Sequence, residues 1–288
     1  PSKQKMLTNI NSKITFNGKY MFDSIAVDNG FYLATFDGFW FYNHVDKTTQ
    51  KVPLSTNSKV LLKVNKLGSL LFIATDDDGF IIYDWRNRAE VLHIDSKAGL
   101  SSNEIIDILP LANGDIWLAT SKGVDVYHNG TEKVSNIFSS PSSKVMSLAT
   151  TDNKVFAATQ GSGIQVFDVN KQRLFQFATG INFSYIRTIK DEIWAPSRQG
   201  LFRIDGKNYH IQMIPGTQNF SFTGEPVVID EQVYLGHYSG VLSLPLHRDD
   251  HFESPIRISK TTVSGNTYLN NESIFVESAN DVIQLQLA

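Results

Sequence analysis

The 288-residue chain contains no cysteine, which excludes disulfides, thiolate metal sites and cysteine nucleophiles. A chain without thiols suits an oxidising compartment. Net charge is also scarce: 26 Lys and Arg against 29 Asp and Glu leave −3 at pH 7. The electrostatic motive for wrapping nucleic acid or lying on an anionic membrane is therefore missing. No apolar run approaches the roughly 18–20 residues that cross a bilayer. The opening Pro1-Ser2-Lys3-Gln4-Lys5 lacks the apolar core of a secretory signal. Because the chain begins at Pro, it reads as a processed protein or an excised part of a longer one, with any anchor or output domain outside it. Helical periodicity is nowhere convincing.

What is present is a repeat. Residues 113–127 combine a tight polar turn, an apolar run holding one aromatic and ending in Thr, a short loop with Gly, and an alternating strand. The aromatic returns as Tyr32, Phe72, Trp117, Phe156, Trp194 and Tyr234, in steps of 40, 45, 39, 38 and 40. The glycine returns as Gly38, Gly79, Gly123, Gly163, Gly200 and Gly240, in steps of 41, 44, 40, 37 and 40. Two independent markers with one period of about 40 residues indicate a repeat architecture, and strand-rich units of that length indicate a β-propeller. With 41% hydrophobic and 11% aromatic residues, the chain has ample material for a core.

Each unit divides into four strands. Inner strands rich in β-branched and large apolar residues fall at 24–27, 60–64, 105–109, 144–148, 185–189 and 226–229. Second strands carry the aromatic, third strands alternate, and outer strands fall at 50–54, 90–94, 133–138, 173–177 and 209–214. Turns such as Asp28-Asn29-Gly30 and Asn113-Gly114-Asp115 use residues that tolerate positive φ or form Asx turns. Residues 13–16 precede the first unit at the spacing of an outer strand. They are expected to pair with the last blade and close the ring, removing an open sheet edge. The recurring aromatic could act as a stacking platform, but one large residue in mid-sheet is what sheet-on-sheet packing requires. The recurring Gly reads as a bulge or positive-φ position, since no strand-loop-helix context marks a phosphate loop.

The expected architecture is all-β. A propeller of four-stranded blades spans 13–246 after an N-terminal extension over 1–12, with six repeats visible; the alternative is a seven-bladed ring with one degenerate blade. At His247-Arg248-Asp249-Asp250-His251 the pattern changes, and 247–288 read as a linker and the first part of a β-sandwich, with strands at 256–263, 273–276 and 282–287.

Gly99-Leu100-Ser101-Ser102-Asn103-Glu104-Ile105, followed by Gly114-Asp115-Ile116-Trp117-Leu118-Ala119-Thr120-Ser121-Lys122-Gly123-Val124, resembles the two-component regulator propeller repeat. In that family a GLSSN lead-in enters the inner strand and a Trp-containing hairpin ends in Thr-x-x-Gly. Elsewhere in this chain the lead-in is lost, and Ser197 or His237 replaces the Thr. The tail from Ser254-Pro255-Ile256 to Leu287 is similar to the start of the three-tyrosine β-sandwich that follows such propellers. The resemblance implies the extracytoplasmic, periplasmic sensor region of a membrane-bound bacterial signalling protein, a hybrid histidine kinase or a diguanylate cyclase. It implies a small polar ligand such as an oligosaccharide and no catalysis in this region. The strand edges at 256–263 and 282–287 add the expectation of a homodimer through the C-terminal sandwich once it is complete, with membrane contact only through segments outside this chain. Such propellers commonly carry seven blades, against the six units here.

The residues themselves offer little chemistry. The histidines, at 44, 93, 128, 210, 237, 247 and 251, show neither metal-ligand spacing nor a nucleophile elbow, so no metal or cofactor is expected. Asp76-Asp77-Asp78 could hold a cation or sugar hydroxyls, or be plain surface. A propeller hydrolase or lyase would carry acids or His on the inner strands at the channel. Those strands offer Asp23 and Asp107 and no Glu/Asn/Asp/His ring, so the enzyme stands as an alternative, beside a dimerisation scaffold. Binding by loops is favoured, because second-to-third-strand hairpins and outer-to-inner lead-ins share one face of a propeller. They bring together Phe36, Asp37, Asp77, Asp78, Lys122, Gln160, Arg198, Gln199 and Tyr238 with Phe183, Tyr185, Asn219 and Phe220. Aromatics among amides, carboxylates and an Arg suit a saccharide. Removing residues 1–16 should lower the melting temperature by stripping one sheet of its outer strand; an unchanged melting curve would refute closure by that segment.

Overall fold

The computed structural model describes residues 20–140, 144–218, 220–222, 224–238, 240–246, 258–263, 266–268 and 283–287. They form five four-stranded antiparallel sheets and one three-stranded sheet, six blades in chain order, followed by a further three-stranded sheet. The blades occupy residues 21–52, 61–94, 105–139, 145–177, 187–213 and 227–245. Among the described residues the only helical element is a 3-10 turn, Ser96–Ala98. The all-β propeller expected from the repeat is thus the fold observed. The closing segment 13–16 and the strand expected at 273–276 lie outside the described residues.

The chain divides into two compact units, Pro1–Leu244 and Pro245–Ala288. In the second, the strand Ile258–Val263 lies between Asn266–Tyr268 and Ile283–Leu287, antiparallel to both. In the first, the core is a succession of interfaces in which each of blades 1 to 4 offers an apolar face to the next. Tyr32, Phe39 and Phe41 of blade 1 pack on Val64, Leu71 and Ile73 of blade 2. Phe72 and Phe80 pack on Ile105, Ile116 and Leu118, Trp117 and Val126 on Val145, Val155 and Phe167, and Phe156 and Ile164 on Ile193, Phe202 and Ile204. The recurring aromatics Tyr32, Phe72, Trp117, Phe156 and Trp194 are buried, and Tyr234 is half-buried. They are core residues, as sheet packing requires.

The Thr ending the second strand of blades 1 to 4 is a clasp. Its hydroxyl donates to the carbonyl of the recurring Gly: Thr35 to Gly38 at 2.8 Å, Thr75 to Gly79 at 2.8 Å, Thr120 to Gly123 at 3.1 Å and Thr159 to Gly163 at 2.8 Å. Ser197 does the same to Gly200 at 2.9 Å, because only the hydroxyl is needed. The same oxygen accepts a loop N–H, from Asp37, Asp78, Lys122 or Gln199. The lead-in at 99–105 has a local task too: Ser101 donates from its N–H and hydroxyl to the fully buried Asp125, at 2.8 and 2.9 Å.

Blade 5 has the shortest inner strand of the first five, Arg187–Ile189 against an expected 185–189. The ladder stops at the Arg187–Trp194 pair; beyond it Pro196 has no N–H to donate, though its carbonyl accepts from Ser184 N–H at 3.0 Å, and one isolated bridge joins Phe183 to Ser197.

Gly123 has φ 147°, and a Cβ there would fall 1.8 Å from the Phe138 carbonyl oxygen. Gly123→Ala should cost about 2–4 kcal/mol in urea unfolding. Gly130→Ala, with nothing within 4 Å of the new methyl, should stay within about 0.5 kcal/mol.

Candidate functional site

The inner strands of blades 1 to 4, Met21–Val27, Leu61–Leu67, Ile105–Pro110 and Val145–Thr151, each carry one extra residue in their pairing with the second strand. These residues, Phe22, Leu62, Ile106 and Met146, sit beside the hairpin Thr of their blade. Side chains normally alternate along a strand; a bulge re-aims one of them. The bulged residues line the channel mouth together with Asp23, Lys63 and Asp107, which directly follow three of them. Asp23, Lys63, Asp107 and Ser147 pair across the ladder with Ala34, Ala74, Ala119 and Ala158, so they occupy equivalent positions.

In blades 5 and 6 the recurring aromatics Trp194 and Tyr234 face Arg187 and Val227. Two residues before these, the equivalent positions hold Tyr185 and Glu225. Asp23, Lys63, Asp107, Ser147, Tyr185 and Glu225 follow one another at 40, 44, 40, 38 and 40 residues, so each blade supplies one polar side chain to a collar. Asp23 and Asp107, singled out on the inner strands, are two of its six members, and with Lys, Ser and Tyr among the others the collar is not the Glu/Asn/Asp/His ring of a propeller enzyme. The signal lay in the 40-residue step. It was hidden because the side chain changes from each blade to the next.

Lys63 is the hub. Its ammonium donates to the Glu225 carboxylate and lies 3.6 Å from Asp23 Oδ2 and 3.9 Å from Asp107 Oδ1. Arg187 Nη1 lies 3.6 Å from Glu225 Oε2 and donates to the Pro226 carbonyl at 3.3 Å. The aspartates accept further bonds across blade boundaries. Asp23 takes the N–H of Val64 at 3.1 Å, and Asp107 takes the N–H of Leu148 at 2.8 Å and the Ser147 hydroxyl at 2.9 Å.

Burial pushes the Asp107 carboxyl up to about 6, against Lys63 and its donors. Burial likewise raises Asp23, with Lys63 opposing. For Lys63 burial acts to lower the pKa, but Asp107, Asp23 and Glu225 together outweigh it and hold the group above the ordinary lysine range. The ammonium is therefore charged at physiological pH. Burial also raises the Tyr185 hydroxyl.

The collar borders two cavities. One, of about 290 Å³, is lined by Ile25, Asn65, Leu109, Ala149 and Thr188. The other, of about 710 Å³, opens on the loop face between the bulged residues, Ser184, Arg187, Arg198 and Tyr238. Of the thirteen loop-face residues, the structure brings Tyr185, Arg198 and Tyr238 together here. Phe220 stands beside the cavity-lining Phe222, with ring centroids 6.1 Å apart. Phe183 is buried, edge-on to Phe202 at 5.7 Å. Asp78 is bound by Thr56 and Asn57. Asp37 pairs with Lys51 at 3.4 Å and borders a separate groove of about 700 Å³ between blades 1 and 2. Phe36, Asp77, Lys122, Gln160 and Gln199 are exposed but do not line the mouth. Asn219 lies outside the described residues.

Asp115, His128 and Ser135 of blade 3 form a hydrogen-bonded chain of 2.8 and 3.0 Å, and Lys171 of blade 4 joins Asp115 at 2.8 Å. The order is that of a hydrolytic triad. None of these residues lines any of the cavities described above, and the chain acts as a brace between two blades.

A ring of six blades whose channel is crossed by a charged collar places this chain among the β-propellers. The chain belongs to the family described as domain of unknown function DUF5074, whose profile matches residues 25–287. No curated protein matches it. Among solved structures it is similar to the extracellular domain of the hybrid two component system BT4673 from B. thetaiotaomicron, with TM-score 0.69, 17% identity, and coverage of 88% of this chain and 39% of that one. The extracellular domain of BT3049 from the same organism gives TM-score 0.64 and 15% identity over 80% of this chain and 34% of that one. Saccharomyces cerevisiae Sqt1 gives TM-score 0.61 and 12% identity over 80% of this chain and 73% of that one. The likeness to Sqt1 marks what is shared as the fold. The chain spans little more than a third of the two extracellular domains. These neighbours agree with the sequence resemblance to two-component regulator propellers.

Lys63→Met would leave three carboxylates crowded without their cation. It should cost about 3–5 kcal/mol at pH 7. The loss should shrink toward pH 5, because a carboxyl whose folded pKa is raised stabilises most when protonated and loses that contribution as pH rises through the folded pKa. Denaturant unfolding at pH 5 and pH 7 would measure both effects; an equal cost at the two would contradict the hub role.

Proposed function

We propose that this chain is the ligand-binding part of an extracytoplasmic sensor, of the kind found in hybrid histidine kinases or diguanylate cyclases, and that it binds a polar ligand such as an oligosaccharide without turning it over. The observation that carries this reading is the mouth cavity of about 710 Å³ on the loop face, in which Tyr185, Tyr238 and Phe22 offer rings beside the polar groups of Ser184, Arg187 and Arg198. Open rings next to directional donors suit a ligand that is apolar on one face and hydroxylated at its edges. Collar carboxylates engaged by Lys63 and by backbone N–H groups favour binding over acid-base chemistry. The extracellular neighbours support an extracytoplasmic setting, taken here as the periplasm.

Interlocked blades deform little, so a bound ligand acts through rigid-body leaning of the propeller on its surroundings. In the longer protein the completed C-terminal sandwich supplies the dimer contact. Screening the protein against neutral and charged oligosaccharides by thermal shift tests the reading, since a site saturated at 100 times its Kd gains about 2.7 kcal/mol. Tyr185→Ala and Tyr238→Ala should each weaken the best ligand about tenfold or more. A hit whose affinity is untouched by both would place binding elsewhere.

A further inference from the structure

The hydrogen-bonding capacity of the mouth is one-sided. Its floor is rich in carboxylates, yet their lone pairs are in use. Asp107 accepts from Ile108, Leu148 and Ser147 and faces Lys63. Asp23 accepts from Ser24 and Val64 and faces the same ammonium. Glu225 takes Lys63 on one oxygen and faces Arg187 on the other. The side-chain exposures of Asp107, Lys63 and Glu225, 8%, 14% and 23%, leave little of this floor within reach of a ligand.

The rim is the reverse. Arg198 stands on the hairpin of blade 5, is exposed, and has no hydrogen bond or ion pair within the described residues. Arg187 is half exposed and spends one terminal nitrogen on the Pro226 carbonyl, with Glu225 at 3.6 Å. A guanidinium carries five N–H donors and no acceptor, so most donors at the rim are unspent. Each planar fork matches the two oxygens of a carboxylate or the face of a sulfate.

We infer that the ligand of this cavity is an acidic saccharide, a sugar bearing a carboxylate or sulfate that Arg198 and Arg187 read while Tyr185 and Tyr238 stack on the ring. This rests on the reading of the mouth as a saccharide site and adds the charge of the ligand to it. A neutral sugar's hydroxyls can accept from these donors, but they bring no charge and no paired oxygens to match a guanidinium fork. An oxyanion brings acceptors to a cavity with donors to spare.

The test is calorimetric titration with four probes: a short galacturonate oligomer, the same oligomer with its carboxyls reduced to alcohols, a sulfated galactose oligomer of equal length, and inorganic sulfate. Binding of the galacturonate or the sulfated oligomer at least tenfold tighter than the reduced oligomer is expected, and tells which oxyanion is preferred. Arg198→Gln, on an exposed hairpin, should remove most of that preference while leaving the melting temperature unchanged. Added salt should weaken the acidic ligands selectively. Equal affinity for acidic and reduced oligomers overturns the inference and leaves a neutral-saccharide site standing. Preference for acidic sugars that survives both Arg198→Gln and Arg187→Gln overturns it as well. Binding of inorganic sulfate as tight as that of either acidic sugar overturns the stacking half of the inference, and no binding by any oligosaccharide overturns the saccharide reading itself.

Discussion

The ammonium of Lys63 is shared among carboxylates from blades 1, 3 and 6, and the centre of the propeller depends on that sharing. Three acids and one lysine in a confined space would be unstable as separate groups: each charge taken from water costs several kcal/mol unless paired and hydrogen-bonded. Here each charge has a partner from another blade, and two aspartates also hold backbone N–H groups of the next blade. The network supplies at the channel wall the cohesion that apolar packing supplies farther out, where the blade faces meet. It links blade 2 to blade 6 past the intervening blade 1, a connection no sheet interface can make.

The outer layers of this design were legible in the sequence because they use one residue type in every repeat. An aromatic must fill the middle of each sheet. A hydroxyl clasps the hairpins of blades 1 to 5, which is why Ser197 can stand for Thr. A glycine must occupy a backbone position where a Cβ at Gly123 would collide with the Phe138 carbonyl. The collar was not legible in the same way. Its rule is a position, with Asp, Lys, Asp, Ser, Tyr and Glu as the occupants, and the position emerges only once the extra residue in four inner strands is known. A bulge leaves no mark in a pattern of alternating side chains. Loop geometry was partly legible. Tyr185, Arg198 and Tyr238 reach the mouth as the shared-face argument required. Phe183, two residues from Tyr185, is buried, and nothing in composition separates the two.

The hairpin clasps and the collar divide the labour of stability and function. Clasps fix each second-to-third-strand turn to its own strand, so a residue such as Arg198 projects from a rigid base beside the hydroxyl of Ser197. The collar fixes the floor. Between them the lead-ins remain the less regular part of the mouth: in blade 5 the ladder ends at the Arg187–Trp194 pair, and Ser184 and Tyr185 come from the stretch before Arg187. Adaptation of the cavity to different ligands is least costly there, where side chains can change without breaking a sheet.

The division of the channel has a topological consequence. A propeller is often drawn as a ring around a tunnel, but here Lys63 and Glu225 clasp hands across the bore, with Asp23 and Asp107 beside them. The same four side chains line both the cavity of about 710 Å³ on the loop face and the cavity of about 290 Å³ beside it, so anything passing between the two hollows meets these charges on its way.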